Sequence, residues 1–229
     1  MVEGPGLVAA AHTAGWTIEA VFVANGEWSY VPPEGVPVYE LAAGVMEKVA
    51  STDTPQAVLA AVRRRTSSLD SLAGATFVVV GDHLSDPGNA GTLLRSAEAA
   101  GADAVVLTSG SVDLFNTKVV RSSAGALFHV PVVTDVSLAD VVALGGRRVL
   151  GTSSHHGAPY TSVDLTEPVA LVVGNEAHGL PDDAPVDEWI TVPHHGRAES
   201  LNVAMAATVL VFEVARQRSA GTGTQPVGG

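Results

Sequence analysis

From about residue 75 onward the chain alternates between short apolar runs and longer stretches whose apolar positions recur at helical spacing. The runs are Thr76 to Val80, Ala104 to Thr108, Phe128 to Val133, Arg148 to Thr152, Val169 to Val173 and Trp189 to Val192. Runs this short and this rich in valine and leucine read as strands buried on both faces. Between them lie helical stretches: Gly91 to Ala100, ended by Gly101; Asn116 to Ser123; a segment capped by Ser137 that runs through Leu144; and a long Ala198 to Arg218. Strand and helix in repeated alternation predict an open α/β domain on a parallel sheet over residues 75–218.

Upstream the pattern is less regular. Thr17 to Ala24 alternates as a strand does, and Leu41 to Ala50 reads as a helix. Pro55 suits the first turn of a further helix, capped by Thr54 and running to about Arg65. The polar stretch Thr66-Ser67-Ser68-Leu69-Asp70-Ser71 then suggests a connection. The expected organisation is a small α/β domain over residues 1–66, a linker over 67–74, the sheet domain, and a disordered tail over 219–229.

Composition narrows the function. With 229 residues and 46% hydrophobic content the chain can bury a sizeable core. No apolar run approaches the roughly 20 residues of a membrane span, and the start Met1-Val2-Glu3-Gly4-Pro5 lacks the basic opening of a signal peptide, so a soluble cytoplasmic protein is expected. The absence of cysteine excludes disulfides, zinc-thiolate sites, iron–sulfur clusters and thiol catalysis. A net charge of -12 argues against gripping nucleic acid over a broad surface, because that requires Lys and Arg against phosphates. Any RNA contact must be local, and the candidates are Arg63, Arg64 and Arg65 together with Arg95, Lys118 and Arg121. For the arginine triplet, a solvated helix end is an equally good reading.

Three polar patches stand where an apolar strand gives way to a helix, the place where open α/β sheets bind ligands. They are Asp86-Pro87-Gly88-Asn89-Ala90-Gly91-Thr92-Leu93-Leu94-Arg95, Gly174-Asn175-Glu176-Ala177-His178-Gly179-Leu180, and Glu199-Ser200-Leu201-Asn202-Val203. The first lacks both the dinucleotide-binding glycine spacing and the lysine of an ATP-binding loop. His155-His156, His178 and His194-His195 lack the spacing of a helical metal site, so no metal is expected. Ser200 lacks the glycine-flanked elbow of a hydrolase nucleophile. Taken singly, Asn89 is a helix cap, Glu176 a carboxylate at a helix start, and Asn202 another cap.

Taken together, the patches resemble the SpoU (TrmH) branch of the SPOUT superfamily of RNA ribose 2′-O-methyltransferases over nearly the whole chain. The first family motif matches Asn89-Ala90-Gly91-Thr92-Leu93-Leu94-Arg95, the second Gly174 to Leu180, and the third Ser200-Leu201-Asn202-Val203. Lys118 to Ala126 is similar to the family's helix between the first two motifs. The resemblance implies a C-terminal domain threaded into a deep trefoil knot, a small N-terminal RNA-binding domain similar to ribosomal protein L30e, and a homodimer formed through the last helix. It implies S-adenosylmethionine as cofactor, held by backbone groups of three loops at Thr152, Ser153 and Gly157; Gly174, Asn175 and Glu176; and Ile190, Val192, Leu201 and Asn202.

The resemblance also assigns roles. Asn89, Arg95, Glu176, Ser200 and Asn202 would form the catalytic pocket, and Arg95 would orient the target nucleotide through its phosphate. The family's Arg is also assigned proton acceptance, but a guanidinium stays protonated in proteins, so stabilising developing negative charge is the better fit. The implied substrate is ribosomal RNA, with transfer RNA or a catalytically weak binding protein as alternatives. Two departures are visible. Family members usually carry a further basic stretch upstream of the equivalent of Met1, and His194-His195 stands where a methionine and a small residue are common.

Overall fold

The computed structural model describes residues 1–25, 30–50, 54–197 and 199–222. The N-terminal part comprises β1 (Val2–Glu3), α1 (Pro5–Thr13), β2 (Ile18–Ala24), β3 (Val38–Leu41), α2 (Met46–Val49) and β4 (Val58–Val62). Its sheet has the order β1-β4-β2-β3, with β4 antiparallel to both neighbours and β2 parallel to β3.

This part corrects the expectation in three places. The helix expected from Pro55 to Arg65 is strand β4: five consecutive apolar residues, Val58-Leu59-Ala60-Ala61-Val62, satisfy either period, and pairing on both edges decides for the strand. Leu41 ends a strand instead of beginning a helix, and the helical turn that follows spans only Met46–Val49. Helix α1, with Pro5 in its first turn, was not anticipated.

A short 3-10 turn, Leu69–Leu72, leads to the second sheet, and Leu72 is buried. The elements that follow are β5 (Phe77–Gly81), α3 (Pro87–Ala99), β6 (Ala104–Thr108), α4 (Thr117–Ser122), β7 (Val132–Val136), α5 (Leu138–Ala143), β8 (Arg148–Thr152), β9 (Ala158–Pro159), β10 (Val169–Val173), β11 (Glu188–Thr191) and α6 (Val203–Thr222). All seven strands run parallel in the order β7-β6-β5-β10-β8-β11-β9. The chain thus lays down β8, returns to insert β10 between β5 and β8, and leaves again beyond β8 to form β11.

Alternation along each strand divides the core in two. Val79, Leu107, Leu150 and Leu171 face one side with Leu93 and Leu94 of α3 and Leu210 and Val211 of α6. Val78, Val80, Val106 and Val172 face the other with Leu138 and Val141 of α5. Burial on both faces explains why these strands read as unbroken apolar runs. The first cluster also takes in Val8, Ala11 and Val21, so the two parts share one core. Trp16 fastens that join: its indole N–H donates to the Phe128 carbonyl at 3.1 Å and its ring meets Phe128 edge-on.

Two C-terminal boundaries also move. The strand expected at Phe128 to Val133 begins at Val132, because Ala126–Phe128 forms a 3-10 turn. The last helix starts at Val203, where Asn202 accepts the amides of Ala204 and Met205, and continues through Thr222 into the stretch assigned to a tail. Residues 223–229 lie outside the described residues.

Candidate active site

All three polar patches lie beyond the carboxyl ends of the parallel strands. Asp86 caps α3 by accepting the Asn89 amide at 2.9 Å, which places Pro87 in the first turn and Asn89 two residues behind it. The segment after β10 is closed by a bridge in which the Asn175 and Gly179 backbones exchange hydrogen bonds. Asn202 ends the third segment as the cap of α6.

A chain of side-chain hydrogen bonds ties the three segments together. The Asn202 amide donates to Asn89 Oδ1 at 2.9 Å, and the Asn89 amide donates to Glu176 Oε1 at 3.1 Å. Glu176 also accepts from the Ser85 and Asp86 backbone N–H groups at 3.1 and 2.9 Å and from the Ser85 hydroxyl at 2.8 Å. Burial pushes the Glu176 carboxyl up, but the N–H groups of Asp86, Ser85 and Glu176 itself, with the Asn89 amide, outweigh it and hold the pKa at about 2. Such a weak base is a poor proton acceptor near neutrality, so this carboxylate's part is to hold loops in place.

This pKa has a consequence for stability. Because it is lowered on folding from 4.5 to about 2, the ionised group contributes stability above the unfolded value. That contribution is lost as pH falls through the window between the two. Urea unfolding at pH 6 and pH 3 should show the wild type losing on the order of 1–2 kcal/mol more than Glu176→Gln over that interval. Equal losses would sink the assignment.

Beside this network, a cavity of about 580 Å³ opens between the ends of β8, β10 and β11 and the start of α6. Thr152, Ser153, Gly174, Asn175, Glu176, Ile190, Val192, Ser200 and Leu201 line it, together with His194. Of the residues expected to hold the cofactor, Gly157 and Asn202 stand outside the lining, as do Asn89 and Arg95 of the expected catalytic set. Gly157 (φ +113°) is pressed against β11, where a Cβ would come within 2.7 Å of the Trp189 carbonyl carbon, so it shapes the loop from behind. Asn202 acts through Asn89.

The cavity suits a nucleoside-bearing sulfonium. Its walls carry glycine backbone and apolar Ile190, Val192, Leu201 and Leu210, and the buried Nε2 of His194 has no hydrogen-bond partner among the described residues. A bound polar group would satisfy that atom.

Arg95 is not part of this cavity. It is exposed on α3, with no ion pair or hydrogen bond among the described residues. Gly88, Gly91 and Arg95 share one face of α3, the face that α4 packs against: a Cβ on Gly91 would overlap Ser122, and Gly88 lies against the Lys118 side chain. Arg95 therefore points from the same side as Lys118, which pairs with Asp86 at 3.7 Å, and the exposed Arg121 of α4.

The arginine triplet does not end a helix but leaves strand β4. Arg63 is paired with Glu19 at 3.1 Å, Arg64 with Asp113 at 3.7 Å, and Arg65 lines a separate cleft. Sequence reasoning assigned nothing to Ser85 or Asp86, although an aspartate followed by proline is a recognisable helix start.

Comparison with known proteins bears on this arrangement. The SpoU rRNA Methylase family profile matches residues 76–212, and the MRM3-like substrate binding domain profile matches residues 1–60. The chain belongs to the SpoU rRNA methylase family. It is 38% identical over 222 residues to the 23S rRNA (guanosine(2553)-2′-O)-methyltransferase RlmP of Bacillus subtilis (strain 168), covering 93% of this chain and 87% of that protein. It is 35% identical over 195 residues to the 23S rRNA (uridine(2479)-2′-O)-methyltransferase of Streptomyces viridochromogenes, covering 80% and 68%. Among solved structures, the SpoU methyltransferase AviRb of Streptomyces viridochromogenes in complex with AdoMet superposes with a TM-score of 0.84 at 29% identity, covering 96% of this chain and 90% of that one. The AdoMet-bound rRNA methyltransferase of Sinorhizobium meliloti superposes with a TM-score of 0.82 at 30% identity, covering 93% and 85%.

Proposed function

We propose that this SpoU-family chain is an S-adenosylmethionine-dependent methyltransferase acting on a ribose 2′-hydroxyl of ribosomal RNA in the cytoplasm. One observation carries the reading beyond family membership: the hydrogen-bond chain Glu176–Asn89–Asn202 gathers all three motifs beside a cavity of cofactor size. Thr152, Ser153, Gly174, Asn175, Ile190, Val192 and Leu201 are the residues that would hold the cofactor, which supplies an electrophilic methyl group. Gly157 supports the first of these loops from behind.

The protein's own contribution is largely positional. Transfer requires the ribose oxygen in line with the methyl group, and alignment of this kind supplies much of the rate. Glu176 fixes the Ser85–Asp86 loop, Asn89 transmits that anchor to the start of α6, and Ser200 offers a hydroxyl at the cavity wall. Arg95, with Lys118 and Arg121, presents positive charge to the RNA backbone and to the oxygen as its proton passes to solvent water. The insertion of β10 between β5 and β8, with α6 returning onto α3, supports a knotted C-terminal domain. The division into residues 1–66 and 75–218 follows the two sheets, with the N-terminal sheet as the RNA-binding part.

An assembly is part of the same reading. Met205, Val209 and Phe212 stand exposed at i, i+4 and i+7 on α6, an apolar stripe suited to a second copy of the chain. Sedimentation should give twice the 23.3 kDa chain mass, and Phe212→Asp the single mass.

The direct test transfers labelled methyl from S-adenosylmethionine to separated ribosomal and transfer RNA, followed by alkaline hydrolysis. A 2′-O-methyl group leaves its dinucleotide uncleaved, so label in dinucleotides from the ribosomal pool is the expected result. Label only in transfer RNA would overturn the substrate, and label in mononucleotides would overturn the position.

A further inference from the structure

A second cavity, of about 520 Å³, lies at the seam between the two sheets and apart from the cofactor site. One wall is Arg64, Arg65 and Thr66, where the chain leaves β4. The other is formed by residues at the carboxyl ends of β6 and β7, including Thr134 and Asp135, with Phe115 from the loop before α4.

Two features make it more than a gap. The Arg64 guanidinium lies over the Phe115 ring, 5.1 Å from its centroid, and is tethered by Asp113 at 3.7 Å. Phe115 is itself set edge-on against Trp16 at 6.5 Å, so the guanidinium rests on an anchored ring, and its outer face is open, the Arg64 side chain being 69% exposed. The second feature is Asp135. Leu107 pairs with Thr134 and Thr108 with Val136, which leaves Asp135 as the extra residue of a β-bulge, at φ +61°. Bulges re-aim side chains, and a non-glycine residue in the left-handed region marks a conformation held at some cost. One Asp135 oxygen accepts the Thr134 hydroxyl at 3.0 Å, which leaves most of the carboxylate's acceptor capacity open.

We infer that this cleft takes an unpaired guanine of the substrate RNA, stacked on Arg64 and read by Asp135; the inference rests on RNA being the substrate. Single-stranded bases are recognised by stacking on aromatic or guanidinium planes and by hydrogen bonding along their edges. Guanine alone among the four bases presents two adjacent N–H donors, N1–H and the 2-amino group, to one carboxylate. A phosphate suits it less well, because Asp113 already pairs with Arg64 and Asp135 offsets Arg65 in the lining, which leaves no net positive charge for an anion. The carboxyl end of β6 is two strand spacings, about 10 Å, from that of β10, so the base read here is a neighbour of the methylated nucleotide and not that nucleotide itself.

The experiment is photo-crosslinking of wild-type protein to ribosomal RNA transcribed with 6-thioguanosine, and separately with 4-thiouridine, with crosslinked peptides identified by mass. Peptides containing Arg64 to Thr66 or Thr134-Asp135 should carry thioguanosine and not thiouridine. Crosslinks confined to α3 and α4, or equal yields from the two bases, overturn the cleft while leaving the methyltransferase reading intact. No crosslink and no methyl transfer with either RNA overturns that reading, and the cleft with it. Two variants give an independent measure. Arg64→Ala should raise KM for RNA about tenfold, the lower part of what one stacked base contributes. Asp135→Asn keeps a residue that tolerates the left-handed backbone but replaces one acceptor by a donor, and it should remove the thioguanosine preference. Binding of S-adenosylhomocysteine should be unchanged in both, and wild-type KM in both variants would sink the proposal.

Discussion

Gly174→Ala is expected to abolish high-affinity cofactor binding and to lower stability by about 1–3 kcal/mol, the ordinary range for a group forced into filled space. Gly174 follows β10 directly and lines the cofactor cavity. A Cβ there would overlap the carbonyl carbon of Gly179 and the amide nitrogen of Leu180. Those atoms are backbone, so no rotamer change relieves the overlap and the Asn175–Gly179 bridge must open. Opening it moves Glu176, which loses its aim at Ser85, Asp86 and Asn89. Calorimetric titration with S-adenosylhomocysteine should show affinity reduced more than tenfold, together with a lower melting temperature. A variant that binds normally would mean that the loop has slack the packing does not reveal.

The sheet was legible because a parallel sheet covered on both faces leaves a plain signature: Val169 to Val173 and Ala104 to Leu107 are apolar throughout, and every residue in both is buried. The N-terminal part was harder for the converse reason. Val58 to Val62 has no period of its own, and only its position between β1 and β2 makes it a strand. The starts of helices were blurred where the cap did not fall at the assumed boundary: Asp86 lies ahead of the assumed start of α3, and Asn202 lies inside the assumed start of α6.

The site divides in the same way. Each motif could be located by residue type, because small and polar residues at strand ends are unusual against an apolar background. What joins them could not be read, since Asn89 meets Glu176 across 87 residues and Asn202 across 113. The low pKa of Glu176 was equally hidden, because two of its donors are backbone amides of a loop contributed by another strand. The placement of Arg95 outside the cofactor cavity, on the face of α3 nearest α4, follows only from how Gly91 lets the two helices approach.

That placement supports the last expectation. Arg95→Ala should lower kcat/KM for RNA by on the order of 10²–10³, the loss typical when a charge-stabilising donor is removed. Stability should hardly change, because the side chain is exposed and forms no ion pair or hydrogen bond among the described residues. Cofactor affinity should be spared, since Arg95 does not line that cavity. Arg95→Lys separates two roles. If the residue contributes only charge toward a phosphate, lysine should recover much of the activity. If its fork must hold phosphate and ribose oxygen together, lysine should recover little, because an ammonium cannot reproduce bidentate geometry. Single-turnover methyl transfer with saturating cofactor reads the difference, and full activity in Arg95→Ala would remove this residue from the reaction altogether.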